Sequence, residues 1–290
     1  MKIYNLGSLN IDYVYNVDHF VRAGETLSSD NMSVFPGGKG LNQSVALSKA
    51  GAQVLHGAVI GENGGLLLDA LKDAGVDTAR IQKSKEGCGH AIIQVDKNGQ
   101  NCILLFAGAN HRLTRQYIDT FLQDAQKDDI LLLQNETNGL EIAFEVAHQK
   151  QMQIAFNPSP YHEDLKKLPL SYVSWWFCNE IEGAALFGSE SPEKIATNFL
   201  QLYSKSNLIL TLGKAGSMFI NAEGCIKQPI YPVKAVDTTA AGDTFTGYFL
   251  AALTRGLHAA SAMELAAKAS SVTVSRLGAS SSIPYLKEIK

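Results

Sequence analysis

The chain is short of charge. Of its 290 residues, 18% are charged, and 25 Lys and Arg against 28 Asp and Glu leave a formal net charge of −3. Ordinary soluble chains carry roughly 25% charged residues, so the sequence describes a body with little surface for its volume. Its mild acidity, without a basic block, gives no electrostatic reason to expect nucleic acid or an anionic membrane as partner. Apolar residues make up 46% and no low-complexity tract occurs, which argues against disorder. Yet no run approaches the roughly 18 apolar residues that a membrane helix needs.

Cysteine is scarce: Cys88, Cys102, Cys178 and Cys225 show no CxxC or CxxH spacing. That pattern speaks against a zinc site or a disulfide framework and for buried free thiols in a reducing compartment. The start, Met1-Lys2-Ile3-Tyr4-Asn5-Leu6-Gly7-Ser8, has no basic segment followed by an apolar one. No secretory signal is therefore expected, and the cytoplasm is the expected location. The Asn-x-Ser/Thr triplets at Asn31, Asn42 and Asn135 then count as chance. Also missing are GxxxxGK[ST], GxGxxG, GxSxG and HExxH, so P-loop ATPases, dinucleotide enzymes and the common hydrolases lose support. The seven histidines show no ligand spacing.

What is present is alternation. Strand-like runs at 54–60, 130–134, 153–156, 172–178 and 208–212 are separated by helical stretches at 64–74 and 140–149. Such order predicts a mostly parallel sheet covered on both faces. Two Ala-rich helical segments, 244–255 and 260–276, are expected to pack as a pair against it. Two stretches break the pattern: 11–34 and 89–106 carry period-two runs, and Asp96-Lys97-Asn98-Gly99 reads as a hairpin turn. Together they could form a small separate sheet over one end of the body, a lid candidate. With no linker, repeat or charged tail, residues 1–290 read as one domain plus this lid.

Five stretches could carry chemistry. In Asp237-Thr238-Thr239-Ala240-Ala241-Gly242-Asp243-Thr244-Phe245, small residues lead into a helix beginning near Gly242. Backbone N–H groups of residues 240–243 would face an anion at a helix N-terminus. A carboxylate at Asp243 could take a proton from an attacking hydroxyl, although Asp in a first helical turn is also an ordinary stabilising choice. Gly37-Gly38-Lys39-Gly40-Leu41-Asn42 leads another helix, which runs to Ala50 with Gly51 as its stop. Its glycines could bring backbone close to a ligand, or simply make a tight loop. Asn10 and Asp12, two apart, share one side of a strand and could bind neighbouring sugar hydroxyls. Asn179-Glu180-Ile181-Glu182 is a capping box by its spacing, and Glu182 could also lie near a phosphate-bound Mg²⁺ through water. Thr211-Leu212-Gly213-Lys214-Ala215-Gly216 could bend around a nucleotide.

In this order the pieces resemble the PfkB/ribokinase family of carbohydrate kinases over nearly the whole chain. The likeness rests on Gly7 to Asp12, the Gly37 loop, Ala107-Gly108-Ala109-Asn110, Asn179 to Glu182, Thr211 to Gly216 and the Asp237 stretch. It implies a three-layer α/β/α sandwich with a mostly parallel central sheet and a small β-sheet lid. It further implies ATP-dependent phosphorylation of a primary hydroxyl of a small sugar, ribose being the first expectation. Deoxyribose, another pentose, a ketohexose, a nucleoside, or a non-catalytic binder on the same fold are alternatives.

By the same resemblance Asp243 would be the base, and the amides of Ala240, Ala241 and Gly242 the anion hole. Asn10, Asp12, Gly38, Lys39, Gly40, Asn42 and Glu136 would contact sugar. Asn179, Gly242 and Thr211, Leu212, Gly213, Lys214, Ala215 and Gly216 would bind ATP, with Glu182 toward Mg²⁺. A monovalent cation, K⁺, would sit among Asp237, Thr239, Thr273, Arg276, Gly278 and Ser282. Paired lids would make a homodimer. Asn135, just before Glu136, and Arg112, after Asn110-His111, depart from the family's pattern.

Overall fold

The computed structural model describes residues 1–289. The first third of the chain holds β1 (Ile3–Leu6), β2 (Asn10–Asn16), β3 (Asn31–Gly37), α1 (Lys39–Lys49), β4 (Val54–Gly57), β5 (Val59–Gly61), α2 (Gly65–Asp73) and β6 (Gln82–Ser84). Then come β7 (Gly89–Val95), β8 (Asn101–Phe106), α3 (Arg115–Phe121), β9 (Ile130–Gln134), α4 (Leu140–Gln149), β10 (Gln153–Asn157) and β11 (Val173–Asn179). The last third holds α5 (Glu180–Phe187), α6 (Pro192–Leu202), β12 (Asn207–Thr211), β13 (Ser217–Asn221), β14 (Gly224–Gln228), α7 (Ala241–Thr254) and α8 (Ala259–Val274).

Eight strands form the main sheet in the order β14-β13-β12-β11-β10-β9-β1-β4. The six from β12 to β4 are parallel, and β13 and β14 close the other edge antiparallel. Successive residues of a strand point to opposite faces, and both faces are buried. Ile130 and Leu132 of β9 join Leu41, Val45, Phe245, Tyr248 and Phe249, beneath α1, α7 and α8. Leu131 and Leu133 join Ile118, Phe121, Phe144, Phe187 and Phe199, beneath α3 to α6. Two cores on one sheet are what make continuous apolar strands necessary, and the result is the expected three-layer sandwich. Truncating a fully buried ring such as Phe249 would cost about 3–5 kcal/mol.

A second sheet, β3-β2-β7-β8, stands apart. β7 and β8 form the expected hairpin: Gly99 N donates to Asp96 O at 2.9 Å and Gly99 takes φ 74°. The stretch 11–34 is less regular than its pattern suggested. β2 stops at Asn16, and the following loop is closed by His19 Nε2 on Glu25 Oε1 at 2.9 Å and by Arg22 N donating to Glu25 Oε2 at 3.0 Å. The run 54–60 is two strands rather than one, and β5 leaves the main sheet to pair with β6. Gly57 ends β4, and a Cβ there would lie 2.7 Å from the Phe121 ring. Of the cysteines expected inside, Cys88 and Cys178 are buried but Cys102 and Cys225 are exposed. No helix among the described residues is long and apolar enough to cross a membrane.

Candidate active site

The carboxyl ends of β1, β9, β10, β11 and β12 face one side of the molecule, where open α/β sheets bind ligands. At the end of β1 the chain passes close under the start of α1. A Cβ on Gly40 would lie 2.4 Å from Ser8 N, and Gly38 caps the helix at φ 94°, so both positions call for glycine. Just beyond β9, Glu136 Oε2 accepts from Lys39 N at 3.0 Å and from the Ser8 hydroxyl. That carboxylate therefore sits at the positive end of α1.

Asp12 lies so near the Gly37 backbone that a Cβ on that glycine would fall 2.0 Å from Asp12 Oδ2. Burial, and then the nearby Glu136 charge, push the Asp12 carboxyl up to about 7. Asn10 Oδ1 accepts from Asn110 Nδ2 at 2.7 Å, and Asn110 Oδ1 accepts from Leu9 N at 2.9 Å. The Asn10 amide is thereby turned so that its Nδ2 is spare. On α1, Asn42 Nδ2 donates to Asp243 Oδ2 at 3.0 Å, while Asn42 Oδ1 is buried without a partner. Asn10, Asp12, Asn42 and Glu136 thus form a polar cluster around the Gly37–Lys39 turn, with both donors and acceptors, although none of the four lines the cavity described next.

Across Asp243, which is 7% exposed, opens a cavity of about 310 Å³. It is lined by Lys39, Asn157, Asn179, Glu182, Thr211 and residues 240–243 among others. The start of α7 is its floor. Ala240, at φ 61°, holds a left-handed conformation that is strained for a residue with a Cβ. Ala241 N turns back on Thr238 O at 3.3 Å, while Gly242 N and Asp243 N donate to no described residue. Of the expected amides at residues 240–243, only that of Ala241 is taken up by another backbone group. A Cβ on Gly242 would meet nothing within 4 Å, so the space above it is open.

Lys39 supplies positive charge here. Burial works against its ammonium, but Asp243, Glu136 and Glu182 outweigh it and raise its pKa. Asn179 and Glu182 form the expected capping box, with Glu182 N on Asn179 Oδ1 at 2.8 Å and Asn179 N on Glu182 Oε2 at 3.0 Å, and both also line the cavity. Of the predicted nucleotide loop only Thr211 reaches it. Gly213, Lys214 and Ala215 form an exposed turn, and Leu212 and Gly216 lie outside the cavity wall.

Of the predicted cation residues, Asp237, Thr239 and Gly278 are bonded to one another, while Thr273, Arg276 and Ser282 find other partners. Asp237 accepts from Thr239 N at 2.9 Å and from Gly278 N at 3.1 Å, and Val236 N and Asp237 N both donate to Val274 O. Thr273 Oγ1 meets Thr244 Oγ1 at 3.0 Å. Arg276 points its guanidinium at Glu288, and Ser282 Oγ bonds Ala279 O.

Ser8 and Asn110 stand in stretches that carried the resemblance but were given no role there, and Gln43, Gln134 and Asn157 were not singled out at all. Their signal was faint: Gln43 is one of several polar residues in α1, and Gln134 ends an otherwise apolar strand. Asn135 donates to Pro160 O at 2.6 Å, and Arg112 pairs with Glu86; neither lines the main cavity.

Residues 2–286 match the pfkB family carbohydrate kinase model. The chain is 35% identical to the ribokinase of Haemophilus influenzae, covering 98% of this chain and 95% of that protein. Among solved structures, the ribokinase of Thermotoga maritima superimposes with a TM-score of 0.89 at 37% identity, covering 100% of this chain and 98% of that one. The ribokinase of Cryptococcus neoformans in complex with ADP gives a TM-score of 0.88 at 33% identity, covering 99% and 98%.

Proposed function

This chain belongs to the pfkB family of carbohydrate kinases, and we propose that it transfers the γ-phosphoryl group of ATP to the primary hydroxyl of ribose. The observation that carries this reading is the place of Asp243. Its carboxylate meets the polar cluster of candidate sugar residues through Asn42, and it opens on the cavity lined by residues 240–243, where the amides of Gly242 and Asp243 are unpaired. Relatives whose names give ribose as substrate, one of them with ADP bound, support the substrate and the nucleotide.

In the proposed reaction the sugar hydroxyl gives its proton to Asp243 as its oxygen bonds to the γ-phosphorus. The bond from phosphorus to the β–γ bridging oxygen breaks, and its electron pair leaves with ADP. The floor amides and the Lys39 ammonium stabilise the charge on the transferring group, so acceleration comes from positioning and electrostatics. Asn10 donates to, and Asp12 and Glu136 accept from, the sugar hydroxyls.

No cluster of three or more His, Cys, Asp or Glu side chains among the described residues is placed to hold a metal. Mg²⁺ fits here only as an ion carried by the nucleotide's phosphates, with Glu182 at the cavity wall reaching it through water. Bound Mg²⁺ would neutralise phosphate charge. The loops at 236–239 and 273–282, stitched by backbone bonds, suit a K⁺ ion held through carbonyls. Equal turnover in potassium-free and potassium-rich buffer would contradict that site.

The small sheet, which carries Asn10 and Asp12, is the lid in this reading. Its exposed Ile103, Leu104 and Phe106, at 51%, 67% and 58%, are an apolar surface suited to a second copy of the chain. An ATP-consuming reaction fits the cytoplasm. The test of the reaction is ATP turnover against ribose, deoxyribose, other pentoses, hexoses and nucleosides. Ribose should be preferred, and no turnover with any of them would overturn the proposal.

A further inference from the structure

Behind Asp243 runs a buried chain of amides that the proton transfer itself does not use. Gln43 Nε2 donates to Asp243 Oδ1 at 2.9 Å, and Gln134 Nε2 donates to Gln43 Oε1 at 2.7 Å. Gln134 Nε2 also donates to Asn5 Oδ1 at 2.9 Å, and Asn5 Nδ2 donates to Gly40 O and to Ser44 Oγ, each at 2.8 Å. All three side chains are fully buried.

The direction of this chain is imposed from its far end. Gly40 O can only accept, so Asn5 must turn its Nδ2 there and present Oδ1 to Gln134. Gln134 must then offer its Nε2, which also reaches Gln43. Gln43 in turn is left to present Nε2, a donor, to the carboxylate. The arrangement strands Gln134 Oε1 inside the protein without a partner. A core built for stability alone would avoid such a group.

We propose that Gln43 is a positioning residue for Asp243, and that Gln134 and Asn5 act through it by fixing which end of its amide faces the carboxylate. With Gln43 on Oδ1 and Asn42 on Oδ2, the carboxylate is held in one orientation toward the sugar hydroxyl. The inference rests on Asp243 being the base.

The experiment compares kcat, ribose KM and thermal midpoint for Gln43→Met, Gln43→Glu and Gln134→Met. Gln43→Met keeps the volume and removes both polar ends; kcat should fall about 10–100-fold, the scale of a misplaced reacting group. Ribose KM should stay near the parental value, since the loss is confined to the transition state. Gln43→Glu keeps the shape but sets an acceptor against Asp243, and its kcat should fall below that of Gln43→Met. Gln134→Met should lower kcat as well, although it touches only the amide chain.

A purely structural role predicts the reverse order at position 43, with the isosteric glutamate the better variant, and that order would overturn the proposal. So would parental kcat in Gln43→Met. If that variant does not fold, parental kcat in Gln134→Met is the overturning result. Normal turnover in Asp243→Asn would instead remove the base reading on which the inference stands.

Discussion

Asn42 Nδ2 donates to Asp243 Oδ2 at 3.0 Å across 201 positions of sequence. This single bond joins the start of α1, which borders the polar cluster, to the start of α7, which floors the cavity. The other end of the Asn42 amide, Oδ1, is buried and has no partner. In the proposed reaction, a sugar hydroxyl that reached Asn42 Oδ1 would be linked to Asp243 by one side chain.

The first prediction concerns pH. Asp12 sits at about 7 in the free protein, far above the ordinary carboxylate value of about 4. Sugar hydroxyls donate to its ionised form, so ribose KM should fall as pH rises from about 6 to about 8. Asp12→Asn should flatten that dependence while raising KM throughout. In the free protein the sign is opposite for folding: the native state holds the extra proton between about 4 and 7. This group's contribution to stability is therefore complete at low pH and is lost as pH rises through 7. Ribose KM measured across that range, for the parent and Asp12→Asn, checks the first half; a flat parental profile would contradict it.

Gly242 separates folding from function. A Cβ there meets nothing within 4 Å, and alanine gains roughly 0.5–1 kcal/mol over glycine in a helix. Gly242→Ala should therefore keep or slightly raise the thermal midpoint. Its methyl group would nonetheless stand where a phosphoryl group must approach the free amides, and kcat should drop by about 10²-fold, the usual cost of one lost oxyanion donor. An unchanged kcat would place the phosphoryl group elsewhere.

Much of the fold was legible because its signals are local. Ile130 to Leu133 is an uninterrupted apolar run ending at Gln134, Leu140–Gln149 has a clear apolar stripe, and both elements appear with the bounds expected. The break at Gly57 was not legible, since it shows only in the pairing: β4 joins β1 while β5 joins β6. The antiparallel edge β13–β14 likewise depends on pairing rather than on periodicity. The site divides in the same way. Asp243, Asn42 and Asn110 stand in recognisable motifs, and Glu136 follows from the family resemblance alone. Gln43 and Gln134 could not be named, because their meaning lies in bonds spanning 200 and 91 residues. Within the Asp237 motif the left-handed turn at Ala240 was not legible, and the bond from Ala241 N to Thr238 O takes one of the expected amides.

The small sheet predicts an assembly. Residues 103 and 104 lie on opposite faces of β8, and both are exposed. Ile103→Glu combined with Leu104→Glu should convert a dimer to a monomer in sedimentation velocity, with the thermal midpoint little changed. A parental protein that is monomeric at micromolar concentration would contradict the apolar surface as an interface.

The most direct test of the account is turnover by Asp243→Asn with saturating ATP and ribose, with both ligands' binding measured separately by calorimetry. Binding should persist while kcat falls by about 10²–10⁴-fold, the range for loss of a general base. Near-parental kcat with binding intact would show that Asp243 does not take the proton.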